Sequence, residues 1–207
     1  MGRCALGSAK QVISTDSRAA APKDTTGART VEQRIAVRWP GLAHLTTASV
    51  LRLPRGSRLR RAMLERSARA GYEAWNRDDL EPARAYADPE IEVHVVRGSD
   101  SPVGFDDVYH GPDGYCRMME EWSAAWRSWR IELEDVLEVA PNKILLAGHH
   151  IGVGLASGAE VEHWAATLYT FRRGKILRVD AFFSADKDSV SDAVISIAED
   201  DRSPDAR

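Results

Sequence analysis

Histidine is the residue type with the clearest potential for chemistry at neutral pH, and four of the six histidines lie in segments with the pattern of strands. His94 alternates with apolar residues, and His149, His150 and His163 follow later in the chain. A neutral imidazole can remove a proton from a carbon next to a carbonyl, so His94 is a candidate general base. It could equally be a half-buried histidine that is satisfied by a neighbour.

Three of these histidines raise the question of a metal site, because imidazole binds zinc and iron. The spacing of His149, His150 and His163 matches no known ligand motif, however, and no cysteine or fixed carboxylate completes the set. We therefore predict no metal and no cofactor. Polar walls of a pocket are the better interpretation, or a surface position for His149.

The strand that follows His163 could provide further contacts to a ligand. A period of two places His163, Thr167 and Tyr169 on one face, with Trp164 and Leu168 on the other. The first face would line a pocket, and the second would suit an interface between two copies of the chain. For Tyr169, a plain core position is the simpler alternative.

Asp180 interrupts an apolar strand, so its orientation decides its role. Facing inward, it could act as an acid or orient a histidine, and we count it with His94 as a candidate catalytic residue. Facing outward, it would form a salt bridge. Both orientations stay open, because burying an unpaired carboxylate is costly.

Tryptophans provide the flat surfaces that a hydrophobic ligand needs. Trp122, Trp126 and Trp129 follow one another at helical spacing and could clamp a polycyclic ligand, although such stripes commonly form core. Trp75 ends a predicted helix that faces the sheet. We list Trp75 and Trp122 with His150, His163, Thr167 and Tyr169 as candidate substrate-binding residues.

Hydrophobic periodicity predicts the elements that position these side chains. Helices are expected near 63–76, 80–87, 112–129 and 187–199, and strands at 90–96, 130–139, 143–156, 161–172 and 175–184. Residues 98–111 are expected to form a loop. Helices segregated from a meander of antiparallel strands indicate an α+β fold. A curved sheet covered by three helices would leave a conical cavity for a small molecule.

Charge divides the chain into two unlike parts. Residues 1–62 hold 12 basic and 3 acidic side chains, and residues 63–207 hold 16 basic and 28 acidic ones, so charges of +9 and −12 sum to −3. The acidic part should repel phosphate, which disfavours nucleic acid as a partner. No apolar run is long enough to span a membrane. Two distant cysteines suit a reducing compartment, so we expect a cytoplasmic protein.

The basic segment at residues 1–58 lacks a sustained period, and we expect it to be mostly disordered. Three explanations remain open: a transit peptide, a nucleic-acid-binding tail, or a start of translation near Met63 that leaves the segment out of the working protein. The predicted organisation is therefore a leader at 1–58, a folded domain at 59–188, and a C-terminal helix and tail at 189–207.

Three stretches resemble a known family: "GYEAWNRDDLEPARAYADPEIEVHV" at 71–95, "HGPDGYCRMMEEW" at 110–122 and "YTFRRGKILRV" at 169–179. They are similar to SnoaL-like proteins of the nuclear transport factor 2-like superfamily, which includes ketosteroid isomerases and polyketide cyclases. The resemblance implies a cone-shaped α+β barrel, and commonly a homodimer formed through the outer face of the sheet.

The resemblance carries over only part of the isomerase site. It implies that His94 occupies the position of the general base and that His150 and His163 face inward. The position of the protonated acid falls on Thr167, and that of the tyrosine falls on Gly71, with Tyr72 one residue away and expected to point elsewhere. Two of the three isomerase roles are therefore missing.

These observations lead to two functional hypotheses. The first is a cofactor-independent cyclase or isomerase that binds a hydrophobic carbonyl-bearing or polycyclic molecule and removes a proton from it. The second is a module of the same fold that binds a ligand or dimerises without catalysis.

Overall fold

A computed structural model describes residues 27–96 and 106–184 of the chain. Five helices occur in these ranges: α1 (Val31–Arg38), α2 (Pro40–Arg52), α3 (Arg58–Asn76), α4 (Glu81–Tyr86) and α5 (Gly111–Ala124). The strands are β1 (Ala87–Val96), β2 (Val108–His110), β3 (Trp126–Ala140), β4 (Lys143–Gly154), β5 (Glu160–Arg172) and β6 (Lys175–Ser184). The predicted α+β class is confirmed. The helix expected at 187–199 lies outside the described residues.

The six strands form one sheet in the order β2-β1-β6-β5-β4-β3. The predicted meander from β3 to β6 is antiparallel throughout, with turns at the expected positions. The sheet is nevertheless mixed, because β1 pairs in parallel with β6, where an antiparallel sheet was expected. The sheet is also open: β1 and β2 extend it beyond β6, and β2 and β3 are its two edge strands.

Two local predictions were wrong. Residues 108–110, expected in a loop, form β2, because the chain pairs with β1 before α5 begins. Trp126 and Trp129, expected on the helix, lie in β3, where they pair with Gly154 and Gly152 of β4. A side chain at position 152 would meet the Trp126 ring at 2.7 Å, so glycine makes room for the indole there.

The expectation of disorder is wrong for residues 31–52, which form α1 and α2. A capping box between Thr30 and Gln33 starts α1, and Pro40 stands in the first turn of α2. Apart from Val50, the residues that these helices bury are small or polar: Gln33, Ala36 and Ala43. They therefore give no strong hydrophobic period in the sequence.

Buried and tightly fitted groups hold α2 on the domain. The Arg60 guanidinium, 1% exposed, donates to the carbonyls of Leu51 and Leu53 and to that of Pro141 in the β3–β4 turn. Its Nε lies 2.8 Å from Glu138 Oε2. At the β5–β6 turn, the His44 carbonyl approaches Gly174 so closely that a Cβ there would lie 2.0 Å from the oxygen.

The two faces of the sheet have different partners. The inner face packs with the helices into the main core, and the outer face carries a small apolar cluster of Leu145, Ala166 and Leu168. The homodimer expected through this outer face stays a prediction. No helix among the described residues is long and apolar enough to cross a membrane.

Exchanging Gly174 for alanine should test the docking of α2 on the β5–β6 turn. Gly174 and Gly158 both have positive φ, +80° and +65°, so alanine costs about 1–2 kcal/mol at either position. Only at Gly174 would the new methyl group also overlap α2, which we expect to cost about 1–3 kcal/mol more. Urea unfolding of Gly174→Ala and of the control Gly158→Ala measures both costs. Equal losses of stability would contradict the docking.

Candidate functional site

A cavity of about 160 Å³ lies between the inner face of the sheet and the helices. Its walls are largely apolar and include Met118, Met119, Ile144, Leu146, Val179 and Phe183. Of the predicted ligand-binding residues, Trp75, His150, Thr167 and Tyr169 line it. The cavity is therefore an apolar container with a small number of polar groups, as is typical of small-molecule sites.

Among the described residues, seven with hydroxyl groups line this cavity: Tyr72, Tyr86, Tyr115, Tyr169, Thr47, Thr167 and Ser67. Three of the tyrosines form one group with a threonine: Tyr72, Tyr115, Tyr169 and Thr167. Burial raises the pKa of all three tyrosines, well above 10 for Tyr72 and Tyr115. The Thr167 hydroxyl lies against Tyr72 and opposes that shift, and the contact of Tyr115 with Tyr169 raises the pKa of Tyr115 further. At neutral pH these phenols stay protonated and are hydrogen-bond donors.

His150 places an imidazole in the wall of the same cavity, 3% exposed. Burial lowers its pKa well below 6.5, and the neighbouring His163 and His149 lower it further, so the ring is neutral at physiological pH. Its Nδ1 has no hydrogen-bond partner in the described part of the chain. The fold therefore buries this nitrogen without a protein partner from the described residues.

An aromatic cluster fills the space behind His150. His163 stacks on His150 with ring centroids 5.0 Å apart, and Trp122 packs edge-on against both rings. Trp122 also stacks on Phe183 at 4.9 Å. Trp122 and His163 are thus buried behind the cavity wall and do not line the cavity. Trp122 belongs to the hydrophobic core, which was the alternative to a ligand-binding role.

The far side of the cavity is formed by residues of α1 and α2 and of the α3–α4 segment. Two carboxylates occur there, and each is paired with an arginine: Asp79 with Arg29 at 2.6 Å and Glu32 with Arg66 at 2.5 Å. Because both acids are neutralised by their partners, the lining has no unpaired carboxylate among its described residues. No group of three potential metal ligands occurs in the ranges that the structure describes.

Comparison with known proteins assigns this architecture to a family. The family model described as "SnoaL-like domain" matches residues 68–179, more than half of the chain. The chain belongs to the SnoaL-like domain family. No curated protein matches the sequence.

Solved structures share the fold of this SnoaL-like domain at low sequence identity. An NTF2-like protein of unknown function from Burkholderia pseudomallei has a TM-score of 0.51 and 19% identity, over 58% of this chain and 90% of that one. Bal32a, from a soil-derived mobile gene cassette, has a TM-score of 0.51 and 13% identity, over 64% of this chain and 96% of that one. TerC, co-crystallised with polyporic acid, has a TM-score of 0.50 and 17% identity, over 65% of this chain and 97% of that one. These likenesses confirm the predicted cone-shaped fold.

Both candidate catalytic residues lie on the outer face of the SnoaL-like sheet. Val93 is fully buried on the inner face, so the period of two turns His94 outward, where its Nε2 lies 3.1 Å from Glu92 Oε2. Asp180 pairs with His94 in the β1–β6 register and bonds to Arg178 at 2.7 Å. The inward orientation implied for His94 is therefore wrong. Of the two orientations considered for Asp180, the structure has the outward one, in which the carboxylate forms a salt bridge.

The remaining histidine of the hairpin also lies outside the cavity. His149 stacks on Trp164 at 4.2 Å, and its Nε2 lies 2.7 Å from Glu162 Oε1. His150 and His163, in contrast, face inward as the resemblance implied. The hairpin register therefore separates the two adjacent histidines by face.

Sequence reasoning missed two tyrosines of the SnoaL-like cavity. Tyr72, expected to point elsewhere, is 5% exposed and lines the cavity next to Thr167. Tyr115 of α5 is also 5% exposed and lines the cavity. The signal was present, because Tyr72 follows Leu64 and Ala68 on the apolar face of its helix, and that face packs on the sheet.

Acidification should destabilise the domain through its buried histidines. Burial lowers the pKa of His163 to about 4, against 6.5 for an ordinary histidine, so between these values the unfolded chain binds a proton that the folded chain rejects. The free energy of unfolding should therefore fall as pH drops from 6.5 to 4, by up to about 3 kcal/mol from this residue. Urea unfolding at several pH values should show a shallower slope for His163→Asn. The exposed control His110→Asn should keep the wild-type slope, and equal slopes would contradict the prediction.

Proposed function

We propose that this SnoaL-like domain binds a compact, uncharged and largely apolar molecule with one carbonyl or hydroxyl oxygen. The observation that carries the proposal is the apolar cavity whose wall gathers the hydroxyls of Tyr72, Tyr115, Tyr169 and Thr167. A ligand oxygen would accept hydrogen bonds from these groups while the apolar walls cover the rest of the molecule. The family supports this assignment, because the SnoaL-like fold is a small-molecule-binding fold of isomerase and cyclase type.

The volume of the cavity limits the size of the ligand. An apolar protein cavity of roughly 150 Å³ accommodates a molecule such as benzene, whereas drug-sized ligands occupy about 300 Å³ or more. At about 160 Å³ the present cavity therefore fits a single ring with small substituents. The sequence suggested a carbonyl-bearing or a polycyclic substrate, and a cavity of this size fits a small carbonyl compound better than a polycyclic one.

The charge of the lining limits the ligand further. Burying an ion without a partner is costly, and the buried lining offers protonated tyrosines and a neutral His150 rather than a counter-ion. The two carboxylates at the far side already have arginine partners. A charged ligand would lose its hydration without gaining an opposite charge.

Binding of fluorinated one-ring probes, followed by ¹⁹F NMR, tests size and charge together. We expect 4-fluoroacetophenone to bind with a Kd on the order of 0.1–1 mM, as is usual for so few atoms, and 4-fluorobenzoate to bind at least about tenfold more weakly. Tyr169→Phe removes one hydroxyl and should weaken ketone binding by about three- to tenfold. In the control Tyr109→Phe, the lost hydroxyl bonds Glu121 outside the cavity, so affinity should be unchanged. Equal binding of ketone and carboxylate would contradict the proposal.

His150 supports a second function, enolisation of a bound ketone without a cofactor. The imidazole and the phenol hydroxyls line one cavity, so a proton could move from the α-carbon to His150 while the phenols stabilise the negative charge on the enolate oxygen. The protonated imidazole would then return the proton to the same carbon or to another one. In this version His150 takes the role that the sequence assigned to His94.

Deuterium exchange into the methyl group of 4-fluoroacetophenone in D₂O tests this second function. Wild-type protein should accelerate the exchange over buffer, and His150→Gln should lose about 100-fold or more of that acceleration, as is typical when a general base is removed. His149→Gln is the matched control, because His149 lies on the outer face. A wild-type rate equal to that in buffer would exclude enolisation of this ketone and leave the binding proposal intact.

A further inference from the structure

The helix α1 lies before the matched family segment at 68–179, yet it forms part of the cavity wall. Glu32 and Gln33 of α1 and Thr47 of α2 line the cavity. The two helices thus form a part of the cavity wall that the matched segment does not supply. The question is whether they form a fixed wall or a movable one.

Polar contacts at the surface hold α1 in place. Arg29, just before the helix, makes paired bonds of 2.6 and 2.8 Å to Asp79 and a third of 2.7 Å to Glu81. Glu32 pairs with Arg66, which is 71% exposed. The bond of Arg29 to Glu81 and the pair of Glu32 with Arg66 are exposed and contribute little to stability, because water and salt replace them readily. The two-bond pair with Asp79, which is only 16% exposed, is the firmer polar contact.

Gln33 is the central contact beneath α1, and it is polar as well. Its Nε2 donates to the Ala70 carbonyl at 2.6 Å, and its Oε1 accepts from Arg77 at 2.8 Å. Ala36 is the other residue that α1 buries. When α1 lifts, Gln33 exchanges these bonds for bonds to water. The apolar side chains that become exposed are Ala36 and the half-buried Ile35 and Val37, none of which belongs to the main hydrophobic core.

The attachment of α2 is of a different kind. Val50 belongs to the main hydrophobic core, and the buried Arg60 holds the end of the helix through the Leu51 and Leu53 carbonyls. Lifting α2 would expose apolar core and leave a buried guanidinium without its acceptors, which is far more costly. The two helices therefore differ in how easily they leave the domain.

From this difference we propose that α1 is a gate, and that the ligand enters the cavity beneath it while α2 stays in place. The ligand-based part of this inference rests on the proposed binding function. The mobility of α1 does not, since it follows from the contacts of the helix alone.

Hydrogen exchange of the full chain without ligand tests the gate independently of any binding. Amides of α1 should exchange at least about tenfold faster than those of α2, because α1 opens without global unfolding. In Arg29→Ala, the exchange of α1 should accelerate by a further two- to fivefold. The matched control Arg61→Ala removes the exposed Arg61–Glu65 pair within α3 and should leave α1 unchanged. Equal protection of α1 and α2 would overturn the proposal.

Exchange rates of 4-fluoroacetophenone, from ¹⁹F line shapes, test the route of entry. Glu81→Gln, which weakens the hold on Arg29 but leaves Asp79 paired in the cavity wall, should raise the association and dissociation rates by the same factor and leave Kd unchanged, since a gate changes the path and not the bound state. High salt should accelerate both rates in wild type and less so in Glu81→Gln. A change in the dissociation rate alone, or no change, would overturn the gate. Failure of the probe to bind wild type would instead count against the proposed function, while hydrogen exchange still decides the mobility of α1.

Discussion

A cone-shaped sheet has a concave apolar face that must be shielded from water, and this constraint organises the rest of the molecule. The helix α5 packs mainly on β1, and α3 packs on β3. The stacked rings of Trp122 and Phe183, with His163 edge-on to Trp122, fill the space on one side. On the other side α1 and α2 complete the cover, and the space that remains between these parts is the cavity.

Shielding the concave face also decides the chemistry that the cavity can support. Burial disfavours charge, so it raises the pKa of the tyrosines and lowers that of His150 and His163. Every buried polar group of the lining is consequently neutral near pH 7. The two carboxylates of the lining, Glu32 and Asp79, lie on the α1 side and are paired with arginines. The ligand that we propose would therefore be held through its oxygen atom by hydrogen bonds rather than by ion pairing.

Much of the fold was predictable because it depends on local patterns. The turns of the β3–β6 meander, the bounds of β6 and the apolar face of α3 follow from residue types and their spacing. The helices α1 and α2 were missed because they bury two alanines, a hydrogen-bonded glutamine and only one larger apolar residue, Val50, which leave no sustained hydrophobic period. The end of α5 was missed because Trp122, Trp126 and Trp129 have a spacing that fits a helix, whereas pairing with β4 draws the last two into a strand.

For the site, the sequence by itself determined which residue types were present and which residues share a face within one strand. It correctly grouped His163, Thr167 and Tyr169 on one face of β5. Tertiary structure decided which face is the inside. The core takes up Val93 and Val179, so their neighbours His94 and Asp180 turn outward, and Tyr72 enters the cavity from α3. A period of two leaves both faces of a strand equivalent until packing buries one of them, and that choice depends on contacts between distant parts of the chain.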